Sequence, residues 1–197
     1  MTERVEILGL VGPSAVGKGY SKEAIKTNFP GIFEEPIVVT TRSKRPTDNK
    51  DRRAGVPINE FFSMVDSGVV LFAHQPFGEN SDWYGFLKNG FEVNKILLTE
   101  VHIDNVQSFK IKFGKRVRLI ALIAKKDYLE KNIKDRATES EETIRIRLSV
   151  AIEEVEKIKR FYKDGLIDHL ITVNMENRAE LDRIVVDLTV KILNEKI

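Results

Sequence analysis

The sequence contains no cysteine, and this absence excludes three kinds of chemistry. The chain can form no disulfide, no thiolate-ligated metal site and no cysteine nucleophile. Histidine is scarce as well, with three residues that lie far apart in the chain, at His74, His102 and His169. None of them has the short spacing to a second ligand that zinc enzymes use. We therefore do not expect a zinc enzyme.

An excess of charge of one sign is also lacking. The 32 basic side chains nearly balance the 30 acidic ones, and the formal net charge is +2. Domains that bind nucleic acid usually carry a marked basic excess. We therefore expect no nucleic-acid partner.

Long hydrophobic runs are absent too, since no stretch approaches the about 20 apolar residues that cross a bilayer. The first ten residues include Glu3 and Glu6 and lack the basic start, apolar run and small-residue cleavage site of a signal peptide. We expect a cytoplasmic protein with no membrane partner.

What remains is the composition of an ordinary globular protein, with 197 residues of which 42% are hydrophobic and 31% charged. This length fits one domain, or one core domain with small mobile inserts. Short branched apolar stretches predict strands, and apolar spacings of three and four predict helices. Strands and helices alternate, which favours an α/β protein with a parallel sheet. The predicted strands are residues 5–11, 37–41, 95–101, 116–124 and 169–173, and the predicted helices are residues 18–29, 103–113, 141–162 and a last helix with Leu181, Ile184, Leu188 and Ile192 on one side.

Two further features concern the ends and interruptions of this pattern. Between residues 42 and 88 prolines, glycines, charges and aromatics mix without a sustained period, over a length too great for a plain loop. We predict a small inserted subdomain of short antiparallel strands with a helix near residues 60–67.

Thr138 and Glu141 have the spacing of a capping box at the start of the 141–162 helix.

A glycine-rich segment follows the first predicted strand and opens the first helix. Its glycines allow backbone N–H groups to curl around phosphate oxygens, the helix N-terminus adds a partial positive charge, and its lysine reaches the outer phosphates. Position after a strand and before a helix makes the match to the P-loop pattern specific. The segment predicts an ATP site with Lys18 as its catalytic cation. The predicted site residues are Gly12, Pro13, Ser14, Ala15, Val16, Gly17, Lys18, Gly19 and Tyr20.

One position of this segment departs from the pattern, which has Ser or Thr after the lysine to meet Mg²⁺. Here Gly19 and Tyr20 come next, followed by Ser21. The ion could be held mainly through water and phosphate oxygens, by Ser14, or by Glu100, and the residues leave these alternatives open.

A second block, Thr-Thr-Arg-Ser-Lys-Arg at residues 40–45, follows the P-loop by about two dozen residues. With these two blocks in this order and separation, the chain resembles the guanylate kinase family, and the resemblance runs over most of its length. Weaker similarities lie at Glu60-Phe61, Tyr84-Gly85, residues 136–142, Arg147-Leu148 and residues 169–174.

The resemblance implies a P-loop NTPase three-layer fold with a central parallel sheet. A small inserted subdomain for the nucleoside monophosphate would span residues 38–88, and a short lid would span residues 126–147. The core would then comprise residues 1–37, 89–125 and 148–197.

The implied reaction transfers the γ-phosphoryl group of ATP, with Mg²⁺, to a nucleoside monophosphate, GMP first of all. Phosphoryl transfer depends on positioning and on cations that stabilise spread negative charge. The resemblance assigns the acceptor phosphate to Arg42, Arg45 and Tyr84, the closing lid to Arg136 and Arg147, and the adenine site to Asn174. As alternatives, Arg42 and Arg45 could form a solvated basic turn, and Arg136 and Arg147 could be ordinary charged helix ends.

The departures from the family cluster where guanine would be recognised. Its hydroxyl and two carboxylate positions hold Val38, Phe72 and His102, and a tyrosine that helps hold the acceptor phosphate is replaced by Ala54. Carboxylates remain at Asp48 and at Glu100, where the family has the first aspartate of its motif. We expect intact phosphate handling and altered base recognition. Glu79 or Asp82 could supply the missing carboxylate, and His102 could also be an ordinary histidine.

Three functions are therefore compatible with the sequence. The first is a kinase that makes a nucleoside diphosphate, and the second is the same transfer to another base or to another small phosphorylated acceptor. The third is a guanylate kinase-like binding module without turnover, although such a module does not need Lys18, Arg42 and Arg45 together.

Overall fold

The computed structural model describes residues 4–46, 48, 52–78, 81–92, 94–135, 140–174 and 180–195. The strands are β1 (Ile7–Val11), β2 (Phe33–Glu34), β3 (Val38–Thr40), β4 (Arg52–Ala54), β5 (Val70–His74), β6 (Tyr84–Leu87), β7 (Ile96–Glu100), β8 (Val117–Ala124) and β9 (His169–Val173). The helices are α1 (Lys18–Asn28), α2 (Ile58–Asp66), α3 (Val106–Phe113), α4 (Lys126–Lys134), α5 (Glu141–Lys163) and α6 (Leu181–Asn194). Within these ranges no helix has both the length and the apolar character that a membrane crossing requires.

The central sheet has five strands in the order β2-β7-β1-β8-β9, and every neighbouring pair is parallel. All five residues of β1 are buried. Since successive side chains of a strand point to opposite faces, both faces of the sheet must be covered. Helices provide the cover: α1 packs against α6, and α3 and α5 pack against β8. The predicted α/β fold with a central parallel sheet is confirmed.

Most predicted elements differ from the observed ones by one or two residues at an end, and β9 has the predicted bounds. Two elements were not predicted, the two-residue strand β2 and helix α4. Helix α5 begins at Ser140, whose side chain accepts a hydrogen bond from the Thr143 N–H. The predicted N-cap Thr138 lies outside the described residues, and the capping box is wrong because Ser140 caps the helix.

A second sheet is formed by β4-β3-β6-β5. The β3–β6 and β5–β6 pairs are antiparallel, but β3 and β4 are parallel, so the prediction of antiparallel strands was wrong for that pair. The predicted helix is present as α2. Its buried Phe61 packs with Val39, Val56 and Val70 into a small core separate from that of the central sheet. The subdomain boundaries themselves stay a prediction.

Five phenylalanines join the second sheet to the central one. Phe109 of α3 lies at their centre, with its ring centroid 4.1 Å from that of Phe72 in β5. Phe72 has a positive φ of 57°, and the register of β5 against β6 shifts between Leu71 and His74. A β-bulge of this kind redirects side chains. The aromatic cluster comprises Phe72, Phe86, Phe91, Phe109 and Phe113.

We expect the Phe109→Ala substitution to lower the free energy of unfolding by about 3–5 kcal/mol, because it leaves a cavity among four other rings. Ile111 is the matched control: it lies on the same helix, is 85% exposed, and Ile111→Ala should change stability by less than about 0.5 kcal/mol. Denaturant unfolding of both variants is the measurement. Equal stability losses in the two variants would contradict the central place of Phe109.

Candidate functional site

A cleft of about 920 Å³ lies at the carboxyl ends of the central strands, the edge at which open α/β sheets bind ligands. Its wall is formed by the loop after β1, the end of β7, the second sheet, and residues of α4 and α5. A volume of this size is large for one small ligand, since ligand pockets commonly measure about 300–1,000 Å³.

The glycine-rich loop at residues 12–17 joins β1 to α1 as predicted. Ala15 and Gly17 have positive φ values of 65° and 114°, and such residues curl a loop so that consecutive N–H groups can face an anion. Gly12 packs directly on β8, where an added Cβ would lie 2.7 Å from the Leu122 carbonyl oxygen. Helix α4 supports the loop through Asn132, whose side-chain amide donates to the Ala15 carbonyl at 3.1 Å.

Lys18 lies across the mouth of this loop. Its ammonium group donates to the carbonyl oxygens of Gly12 at 2.7 Å and Pro13 at 2.9 Å. The carboxylate of Glu100, at the end of β7, lies 3.9 Å away. The positive charge is therefore held where phosphate oxygens bound by the loop would lie.

Glu35 organises two further lysines beside the loop. Its carboxylate accepts hydrogen bonds from Lys22 at 2.7 Å and Lys26 at 2.8 Å. Burial alone would raise the pKa of Glu35, but these two ammonium groups outweigh it and hold the pKa below its ordinary value. Lys22 also lies 3.9 Å from Glu100, so three cations and two carboxylates form one network at this end of the cleft.

A second group of cations stands on the opposite wall, centred on Asp48. Arg42, after β3, donates to the Asp48 carboxylate at 2.6 Å, and the backbone N–H of Arg45 donates to its other oxygen at 2.7 Å. Arg52 lies 3.7 Å from the same carboxylate. The hydrogen bond from Arg42 is the main reason that the pKa of Asp48 is held below its ordinary value. Asp48 therefore stays ionised and keeps three arginines together.

Arg147 of α5 reaches the cleft wall and contacts the second sheet. Its guanidinium carbon lies 4.5 Å from the ring centroid of Phe77, in the segment after β5. This cation–π geometry links α5 to the second sheet across the cleft.

The structure brings most of the predicted site residues to this cleft. The lining includes seven of the nine predicted P-loop residues, all but Pro13 and Val16. It also includes Val38, Arg42, Arg45, Tyr84, Glu100, His102 and Arg147. Arg136 and Glu79 lie outside the described residues. The described wall includes neither Asn174, at the end of β9, nor Asp82, which accepts a hydrogen bond from Thr41.

Phe72 does not line the described part of the cleft, contrary to the prediction. The bulge in β5 and the positive φ place its ring among the aromatic cluster instead. Its backbone carbonyl accepts a hydrogen bond from the Asn105 side chain at 2.8 Å.

His74 and Glu154 are among the cleft residues that the sequence analysis missed. The His74 ring stacks on that of His102 with centroids 4.5 Å apart, and Glu154 Oε1 lies 3.3 Å from His102 Nε2. Burial is the main cause that lowers the pKa of His74 to about 4, so its ring is neutral at pH 7. A signal for Glu154 existed: it follows Arg147 by seven residues, which places both on one face of α5.

No family model matches the chain, but curated proteins named guanylate kinase do. That of Lactobacillus acidophilus is 29% identical over 160 residues, which are 79% of this chain and 77% of the relative. That of Trichormus variabilis is 26% identical over 161 residues, which are 79% of this chain and 79% of the relative. That of Synechococcus elongatus is 26% identical over 174 residues, or 84% of this chain and 91% of the relative. Among solved structures, guanylate kinase from Anaplasma phagocytophilum matches with a TM-score of 0.64 at 20% identity, over 98% of this chain and 89% of that one, which shows the fold.

The close packing of Gly12 on β8 leads to a stability prediction. We expect Gly12→Ala to lower the free energy of unfolding by about 1–3 kcal/mol, because the added methyl group must push the loop away from a backbone carbonyl. Gly19→Ala is the matched control, since nothing lies within 4 Å of its added Cβ and alanine favours a helix. Thermal unfolding measures both, and a Gly12→Ala melting temperature equal to that of Gly19→Ala would refute the packing argument.

Proposed function

The chain belongs to the guanylate kinase family, and on this premise we propose that it is an ATP-dependent nucleoside monophosphate kinase with GMP as its principal acceptor. The observation that carries the proposal is that two phosphate-binding arrangements face one cleft. The loop with Lys18 forms one, and the arginines gathered by Asp48 form the other. A kinase of this type needs one such arrangement for each nucleotide.

In the proposed reaction an oxygen of the acceptor phosphate attacks the γ-phosphorus of ATP. The bond from that phosphorus to the bridging oxygen breaks, and ADP leaves with the bridging oxygen and its electron pair. Lys18 and the loop N–H groups hold the ATP phosphates, while Arg42, Arg45 and Tyr84 hold the acceptor phosphate. Arg147 stabilises the charge on the group in transfer. Asn174 beside the adenine, and Arg136 in the lid, remain proposals from the resemblance.

Magnesium fits the phosphate end of this cleft. The described residues contain no group of three metal-binding side chains, and Mg²⁺ typically uses one or two carboxylates together with water and substrate phosphates. Glu100 is suited to this role, because it is 43% exposed and its two lysine neighbours are no closer than 3.9 Å. Bound there, the ion would neutralise phosphate charge.

A different acceptor base is the second candidate. Val38 and His102 do line the cleft, at positions where the family recognises guanine with oxygen atoms. The preference for GMP over other nucleoside monophosphates should therefore be weaker than in a pocket with the full set of hydrogen-bond acceptors for guanine.

An assay of ADP release with GMP, dGMP, AMP, CMP, UMP and dTMP as acceptors tests the proposed function. We expect acceptor-dependent ADP formation that Lys18→Ala lowers at least about 100-fold, because loss of one preorganised cation costs about 3 kcal/mol. Lys112→Ala, on an exposed site of α3, should leave the rate unchanged. Nucleotide binding without ADP formation from any acceptor would instead indicate a binding module.

Arg147 should act on the transition state more than on bound ATP, since it meets the transferring group only when both nucleotides are present. We expect Arg147→Ala to lower kcat at least about 10-fold with a smaller change in the Kd of ATP. Arg145→Ala, exposed two residues earlier on α5, is the control. A weakened Kd with unchanged kcat would assign Arg147 to ground-state ATP binding.

A further inference from the structure

The acidic residues of the described cleft wall differ in what they face. Glu35, Asp48 and Glu100 lie beside lysines or arginines of the two phosphate-binding groups. Asp135 is exposed at the end of α4, the helix that supports the P-loop. Glu154 is different, because its contact among the described residues is the ring of His102, whose Nε2 lies 3.3 Å from Glu154 Oε1.

Glu154 ends a row of side chains that starts at the acceptor-side arginines. The Tyr84 phenol interacts with Arg42, and its ring is stacked near that of His74 with centroids 6.0 Å apart. His74 in turn stacks on His102, and His102 Nε2 faces Glu154. A nucleotide whose phosphate is bound by Arg42 can extend along this row of rings toward Glu154.

The carboxylate of Glu154 is largely buried but reaches the cleft. The side chains of His102 and Glu154 are each 12% exposed, and both residues line the cleft. Asp104 and Lys157 flank His102 on its other side, where Lys157 hydrogen-bonds the Asp104 carboxylate. Lys157, three residues after Glu154 on α5, therefore has Asp104 as its carboxylate partner among the described contacts.

A carboxylate that faces the base of a bound nucleotide distinguishes guanine from adenine. Guanine presents N1–H and its 2-amino group as adjacent donors, which match the two oxygens of one carboxylate. Adenine presents one donor beside one acceptor, and that acceptor would face a carboxylate oxygen. Val38, on the same wall, offers no hydrogen bond.

We propose that Glu154, oriented by His102, is the specificity-determining residue that reads the donor edge of the acceptor base and favours a 2-amino-6-oxopurine. This inference rests on the proposed function for the identity of the acceptor side. It predicts a preference for GMP in a chain that lacks the family's usual oxygen atoms at Val38, Phe72 and His102.

The decisive variant is Glu154→Gln, which keeps the shape of the side chain and replaces one acceptor oxygen with a donor. An amide matches the donor–acceptor edge of adenine. We expect kcat/KM to fall at least about 10-fold for GMP and to rise for AMP. Simple damage to the fold would lower both values. Glu153→Gln, at an exposed neighbouring position, should leave the ratio of GMP to AMP unchanged.

A second measurement needs no variant. IMP lacks the 2-amino group but is otherwise like GMP, so the unchanged protein should prefer GMP over IMP by about 10-fold or more, the worth of one hydrogen bond to a charged acceptor. Equal kcat/KM values for GMP and IMP would overturn the inference even if Glu154→Gln failed to fold.

Failure of the inference can be told apart from failure of the proposed function. If the unchanged protein forms ADP but Glu154→Gln and Glu153→Gln have the same GMP to AMP ratio, Glu154 does not read the base. If no acceptor yields ADP, the proposed function fails. The equilibrium Kd values of GMP, IMP and AMP for the same proteins then decide the inference. It requires the unchanged protein to bind GMP more tightly than IMP, and Glu154→Gln to shift the preference from GMP toward AMP.

Discussion

β1 lies between β7 and β8 and is parallel to both, so the carboxyl ends of the three strands meet at one edge of the sheet. The P-loop leaves β1 at this edge, Glu100 and His102 lie at the end of β7, and the Leu122 carbonyl of β8 limits the space above Gly12. Because parallel strands require crossover helices, the same arrangement covers both faces of the sheet. The predicted site residues of the core are thus brought together by strand pairing rather than by proximity in sequence.

The sequence predicts what depends on local pattern. The buried strands, the amphipathic helices and the P-loop follow from periodicity and spacing. Strand β2 was missed because two residues carry no period, and α4 was missed because its sequence is mostly charged. Phe72 was misplaced because the resemblance assigned it to the base site by its position in the sequence, whereas the bulge in β5 directs its ring into the aromatic cluster.

The pairing of His102 with Glu154 shows a second reason for such misses. These residues are separated by more than 50 positions, since His102 follows β7 and Glu154 belongs to α5, so only the tertiary fold reveals that they meet. The same is true of the ring stack that joins the acceptor-side arginines to this pair. Residue types at the family's motif positions indicate which contacts the resemblance would not supply, whereas the proposed replacement, Glu154, lies on a helix that carries no motif at that position.

Lys18 and Arg42 already hydrogen-bond to oxygen atoms of the protein: Lys18 to two loop carbonyls, and Arg42 to Asp48 and to the Ser43 carbonyl. Under the proposed function, an arriving phosphate would replace these existing partners, so the gain from each new hydrogen bond would be only the difference between the two. The affinity for each nucleotide would be moderated as a result. A cation that recovers its own partner when the nucleotide departs would also lower the barrier to that departure, which would favour rapid exchange of product for substrate between successive turnovers.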